Sequence, residues 1–199
     1  MRPIETRYNG YLFRSRLEAR WAVFFETLGW QYTYEPEGFV LPDGTWYLPD
    51  FFLPAFGVWV EIKPQPPTEA QRQIAWQFAM QGLRYYLLYG PCASRDHGAY
   101  WVEEADDDTT LLPEDRFETI DAHVAMFSSC PQCPASVWLV DWYGRNGYGG
   151  ACWSACRPQC TFDERGWESA RFERAYTAAR SARFEQRRPT TKPFSLFGN

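Results

Sequence analysis

Apolar residues recur along this chain in two periods. Within residues 14–28, Leu17, Trp21, Phe24, Phe25 and Leu28 fall three or four positions apart, which lines them on one face of a helix. Ser15 is placed as its N-cap, with Glu18 three residues on as in a capping box, and Gly29 stands where a C′ glycine belongs. Residues 31–35 alternate as a strand. The apolar runs 38–41 and 46–48 flank Pro42-Asp43-Gly44, which predicts a hairpin and makes Asp43 a turn residue. In the next run Val58, Val60 and Ile62 alternate with Trp59, Glu61 and Lys63, so a strand places Glu61 and Lys63 on one face.

Pro64, Pro66 and Pro67 break that strand. A helix over 69–81 follows, closing at Gly82 and carrying Gln71, Gln73 and Gln77, and then a buried strand over 83–89 ended by Gly90-Pro91. The order helix, strand, hairpin, strand, helix, strand predicts an α/β chain with a mixed central sheet flanked by helices. Residues 106–118 are polar and read as a connector leading into a short helix over 117–122. Residues 137–141 read as a strand, and 144–150 as a glycine-rich loop. A helix is predicted over 163–186, where Trp167, Ala170, Phe172, Tyr176, Ala179 and Phe184 mark a face that packs back on the body.

Composition narrows the class. Aromatic residues make up 19% and hydrophobic residues 45%, enough for a packed core in one domain with an appendage. No apolar run approaches the roughly 18 residues of a membrane span, and Met1-Arg2-Pro3-Ile4-Glu5 has no signal-peptide character. The expectation is therefore a cytoplasmic protein with no membrane partner. A net charge of −5 excludes a generally basic nucleic-acid binder, so any such surface is local. Charge is segregated: acids crowd residues 103–118, whereas Arg165, Arg171, Arg174, Arg180, Arg183, Arg187, Arg188 and Lys192 enrich the C-terminal part. That part reads either as a face for a phosphate backbone or as a solvated helix with internal ion pairs.

The candidate chemistry lies between Tyr47 and Lys63. Asp50 follows Pro49, and Glu61, Ile62 and Lys63 end the apolar strand. Two carboxylates supply hard oxygen ligands for Mg²⁺ or Mn²⁺, and an ammonium beside them can position water or offset charge. Lys63 and Lys192 are the only lysines in an arginine-rich chain, so a lysine here differs in kind from its surroundings. Pro49-Asp50 followed by Glu61-Ile62-Lys63 resembles the PD-(D/E)xK nuclease superfamily, the restriction-endonuclease-like fold. Residues 15–21, Ser-Arg-Leu-Glu-Ala-Arg-Trp, resemble the first helix of its transposase-associated and phage endonucleases. The resemblance covers roughly residues 11–89. It implies a metal-dependent DNA endonuclease of phage or bacterial metabolism in which Glu18, Asp50 and Glu61 hold the ion and Lys63 acts on water. It leaves Glu18 a competing task as a capping-box acid. Arg14, Arg16 and Arg20 near this helix read equally as phosphate contacts or as surface charges.

Beyond residue 122 the composition changes. Five of six cysteines fall between Cys130 and Cys160, spaced as Cys130-x-x-Cys133 and then Cys152, Cys156 and Cys160. This resembles a zinc ribbon, with Cys130, Cys133, Cys156 and Cys160 as the structural Zn²⁺ ligands and Cys152 as a possible substitute. An iron–sulfur cluster is the alternative. Cys92 stands apart as a buried small hydrophobe, and His97 and His123 read as structural or exposed rather than as ligands. Near the end, Phe194, Leu196 and Phe197 resemble the short peptide by which bacterial replication and repair proteins dock on the sliding clamp, with Pro193 where that motif has glutamine. The same residues can instead fold over the body.

The expected organisation is a nuclease core over 1–90, an acidic connector over 91–122, a cysteine-rich module over 123–162, a basic helix over 163–186 and a flexible tail over 187–199. The alternative to an enzyme is a non-catalytic nucleic-acid-binding or adaptor protein that keeps the fold.

Overall fold

The computed structural model describes residues 3–93, 97–102, 118–129, 137–140 and 170–184. It is a mixed α/β arrangement. Helix α1 (Arg16–Thr27) starts at Ser15, whose hydroxyl accepts from the Glu18 amide at 3.2 Å. It ends in a Schellman motif: Gly29 takes φ +73°, its amide donates to the Glu26 carbonyl, and the Trp30 amide donates to Phe25. Helix α2 (Glu69–Ala79) opens with a full capping box between Thr68 and Gln71.

Before α1, strands β1 (Thr6–Tyr8) and β2 (Tyr11–Phe13) form a hairpin that the apolar pattern did not predict. Its turn is Asn9-Gly10, both at positive φ (44° and 82°), a strong two-residue hairpin signal. The expected hairpin is β4 (Phe39–Val40) with β5 (Trp46–Tyr47). The central sheet uses β3 (Thr33–Tyr34), β6 (Phe51–Leu53), β7 (Val58–Lys63), β8 (Arg84–Tyr89), β9 (His97–Val102), β10 (Glu118–Ser129) and β11 (Val137–Val140). Their order is β11-β10-β9-β8-β7-β6-β3. Among the described residues β7 and β8 are parallel, joined by α2, and the other neighbours are antiparallel.

Two expectations are corrected. The short helix over 117–122 is instead the start of β10, where Ile120, Ala122, Val124 and Met126 alternate with Thr119, Asp121, His123 and Ala125, the period of a strand. The helix over 163–186 is described as α3 (Ala170–Ser181), and Ala182, Arg183 and Phe184 are not helical. The sheet also continues past residue 90, since Leu88 of β8 pairs with Ala99 of β9. Thus strand pairing runs into the segment expected as a connector.

The two faces of β7 bury different partners. Val58, Val60 and Ile62 join one core with Trp21, Phe24 and Phe25 of α1 and Phe172, Ala175, Tyr176 and Ala179 of α3. Trp59 joins another with Ala75, Phe78 and Ala79 of α2 and Tyr85 of β8. Aromatic rings knit α1 to α3: Phe24 lies 4.5 Å from Tyr176 between ring centroids and Trp21 stands edge-on to Tyr176 at 6.3 Å, while Trp21 also stands edge-on to His97 of β9 at 5.1 Å. Such pairs add about 0.5–1.5 kcal/mol each beyond the area they bury. His97 is buried, with Nε2 2.7 Å from the Tyr176 hydroxyl, and burial pushes its pKa down to about 3. It is neutral and structural, as expected. Arg171 donates to the Leu28 carbonyl at 2.6 Å, so a cation of α3 caps the C-terminal end of α1. No helix among the described residues is long and apolar enough to cross a membrane.

Candidate active site

Three strands end side by side where the acids stand. The β6–β7 register runs Leu53↔Val58, Phe52↔Trp59, Phe51↔Val60, and one further step sets Asp50 opposite Glu61. On the other side Tyr34 pairs with Phe51, and the Glu35 amide donates to the Asp50 carbonyl at 2.9 Å. Glu35, Asp50 and Glu61 therefore form a row across β3, β6 and β7. Glu35 takes φ +45°, a conformation that costs a side-chain-bearing residue roughly 1 kcal/mol.

Glu18 reaches the row from the first turn of α1. Its Oε1 accepts from the Ser15 hydroxyl at 2.6 Å, and its Oε2 accepts from the Tyr34 hydroxyl at 2.6 Å and the Arg14 amide at 3.1 Å. The Ser15 hydroxyl caps the helix, while the Glu18 carboxylate turns to Tyr34 and the Arg14 amide. Asp50 is buried with both oxygens engaged: Arg14 Nη2 donates to Oδ1 and the Ile62 amide to Oδ2, each at 2.8 Å. Burial and then the charges of Glu61 and Glu18 push its carboxyl well above the usual range, against the pull of the Ile62 amide and Arg14. Three carboxyls thus share one electrostatic neighbourhood.

Glu61 is also buried. Lys63 Nζ donates to its Oε1 at 2.5 Å, and the Tyr47 hydroxyl to its Oε2 at 2.9 Å. Since the single Tyr47 hydrogen goes to Glu61, Tyr85, 2.6 Å away, donates to Tyr47. Burial, followed by nearby negative charge, raises both phenols well above their ordinary value, so both stay protonated donors.

The structure brings Glu18, Asp50, Glu61 and Lys63 into one neighbourhood, and it adds residues that the sequence did not single out. Arg14, read from the sequence as either a phosphate contact or a surface charge, reaches the acids: its Nε lies 2.6 Å from Glu35 Oε1 while its Nη2 holds Asp50. Burial raises the Glu35 carboxyl, Arg14 lowers it, and Glu18 and Glu61 raise it further. Glu35 ends the alternation of residues 31–35, the one sequence signal that pointed to it; Tyr34, Tyr47 and Tyr85 carry none beyond being aromatic. The α2 glutamines are engaged elsewhere. Gln71 completes the cap, Gln73 donates to Glu69, and Gln77 bonds Asp43 in the β4–β5 turn.

The chain matches no protein-family model and no curated protein sequence. Cys130, Cys133, Cys152, Cys156 and Cys160 lie outside the described residues, as do Phe194, Leu196 and Phe197. Cys92 is buried, and burial pushes its thiol up. Among the described residues no three His, Cys, Asp or Glu side chains stand together as a ready-made metal cage. The donor chemistry nevertheless suits a hard divalent cation. Glu18, Asp50 and Glu61 offer only oxygen donors, the ligand type that such a cation takes.

Proposed function

We propose that this chain is a nuclease that hydrolyses phosphodiester bonds in DNA with the help of Mg²⁺ or Mn²⁺. The observation that carries the reading is the group of buried acids Glu18, Asp50 and Glu61 beside Lys63, in which the Ile62 amide of β7 holds Asp50. The β6–β7 register supports it by setting Asp50 beside Glu61. The fine fold assignment, restriction-endonuclease-like, belongs to the same proposal and rests on Glu18, Asp50, Glu61 and Lys63 in that order.

Glu18, Asp50 and Glu61 would hold the ion. The chemistry such an ion would supply there is polarisation of the phosphate and a lowered pKa for bound water. The chain's own residues do the rest. Tyr47, itself bonded by Tyr85, holds one oxygen of Glu61, and Lys63 donates to the other. The Lys63 ammonium, partly exposed at the end of β7, can orient water or balance charge that develops on the phosphate. A phosphodiester is anionic, so a site with four carboxyls accepts it only with cations present. A Zn²⁺ or iron–sulfur centre in the cysteine segment and clamp docking by the tail remain part of the proposal, as substrate-orienting or recruiting devices.

Cleavage of supercoiled plasmid and linear duplex, with Mg²⁺, Mn²⁺ or chelator, tests the reading. Native protein should cut only with metal, and Lys63→Ala should lose about 10²- to 10⁴-fold in rate. Equal cutting by the native protein, Lys63→Ala and Asp50→Ala would sink it. Metal-independent DNA binding without cutting would instead assign a binding or adaptor role.

A further inference from the structure

Arg14 touches more of the acidic site than any ligand-like role requires. Its amide donates to Glu18 Oε2, its Nε meets Glu35 Oε1 and its Nη2 meets Asp50 Oδ1. One residue therefore contacts three of the four carboxyls. The anchoring is strong at the backbone and loose at the tip. Phe13, the preceding residue, is fully buried against Tyr34 and Phe51, whereas the Arg14 side chain is 55% exposed. The guanidinium can leave without disturbing the chain that carries it.

The oxygen it occupies is the telling one. The other oxygen of Asp50 is fixed by the Ile62 amide, so Oδ1 is the face that Asp50 presents to a cation. We infer that Arg14 is the internal counter-ion of this site and is exchanged for the divalent cation at Asp50. The inference rests on the metal-dependent reading above. The guanidinium neutralises Asp50 and Glu35 when no metal is present, keeps the carboxylates from repelling one another, and competes with the metal for Asp50 Oδ1. Arginine suits this role, because its planar fork spans two carboxylates where a lysine ammonium serves as a single point. It is a positioning residue that tunes metal affinity; Lys63 and the three acids remain the reacting set.

A structural brace and a competing counter-ion predict opposite signs. If Arg14 only braced the acids, its loss would let them drift and weaken metal binding. If it competes, its loss strengthens binding. Mn²⁺ titration calorimetry on the chelator-stripped full chain distinguishes the two, with Asp50→Asn marking which heat belongs to this site. Arg14→Gln should bind Mn²⁺ about fivefold more tightly at that site, the scale of a partly exposed ion pair. It should also melt at a lower temperature than the native chain in chelator and recover the difference in Mn²⁺. Arg14→Lys, which keeps one charge and loses the fork, should bind with intermediate affinity and decides the sign if Arg14→Gln does not fold. Unchanged or weaker Mn²⁺ binding in these variants, with the Asp50-dependent heat intact in the native chain, overturns the exchange and leaves the nuclease reading standing. Native protein with no Mn²⁺ heat that Asp50→Asn removes overturns both.

Discussion

Both oxygens of Asp50 are bonded, and its carboxyl is still raised well above the ordinary range by burial and by Glu61 and Glu18. In the unfolded chain that carboxyl titrates near 3.9. Its protonated form therefore favours the folded state fully below that value, and the contribution is lost as pH rises through the higher folded value. The stability of Asp50→Asn, which cannot ionise, should rise relative to the native chain as pH increases in chelator. Urea melts at several pH values check this, and a stability difference that does not change with pH would refute it. The acids and Lys63 were legible in the sequence because hard ligands and an ammonium at the end of an apolar strand are a local pattern. Arg14 and Glu35 were not. Their positions depend on strand register and on a positive φ at Glu35, neither of which a residue's neighbours in sequence reveal.

At the scale of elements, α1, α2, β7, β8 and the β4–β5 hairpin were readable from period and punctuation. The β1–β2 hairpin and β10 were less legible: Asn9-Gly10 marks a hairpin only with the short flanking strands of three residues each, and the alternation after Glu118 follows directly on an acidic run typical of solvated chain. The β4–β5 hairpin does more than turn the chain. It brings Tyr47 over α2 and β8, with its ring 5.4 Å from Phe78 and its hydroxyl between Glu61 and Tyr85. Tyr47→Phe keeps the ring and removes the bridge, leaving the buried Tyr85 hydroxyl without its acceptor. The expected cost is about 1–3 kcal/mol, read as a lower denaturant midpoint with unchanged slope. An unshifted midpoint would show that the hairpin is held by its apolar contacts alone.

For the molecule as a whole, the sequence announced that the C-terminal helix has an apolar face but not what lies under it. The answer is α1, the helix that carries Glu18, so the site depends on α3 through the packing of Trp21 and Phe24 on Phe172 and Tyr176. Tyr176→Ala should cost about 3–5 kcal/mol, since it leaves a cavity against Phe24 and removes the hydroxyl that bonds His97 Nε2. A chain ending at residue 169 should show no cooperative thermal transition by circular dichroism; a sharp transition in that fragment would mean that residues 1–169 fold alone. Arg171 and Leu28, which bond across α3 and α1, are 143 residues apart. At about 5–20 residues per second of synthesis, the aromatic face of α1 is made roughly 7–30 seconds before the helix that covers it. For that interval in each round of translation, Trp21 and Phe24 lack the apolar cover that Phe172 and Tyr176 give them in the finished chain.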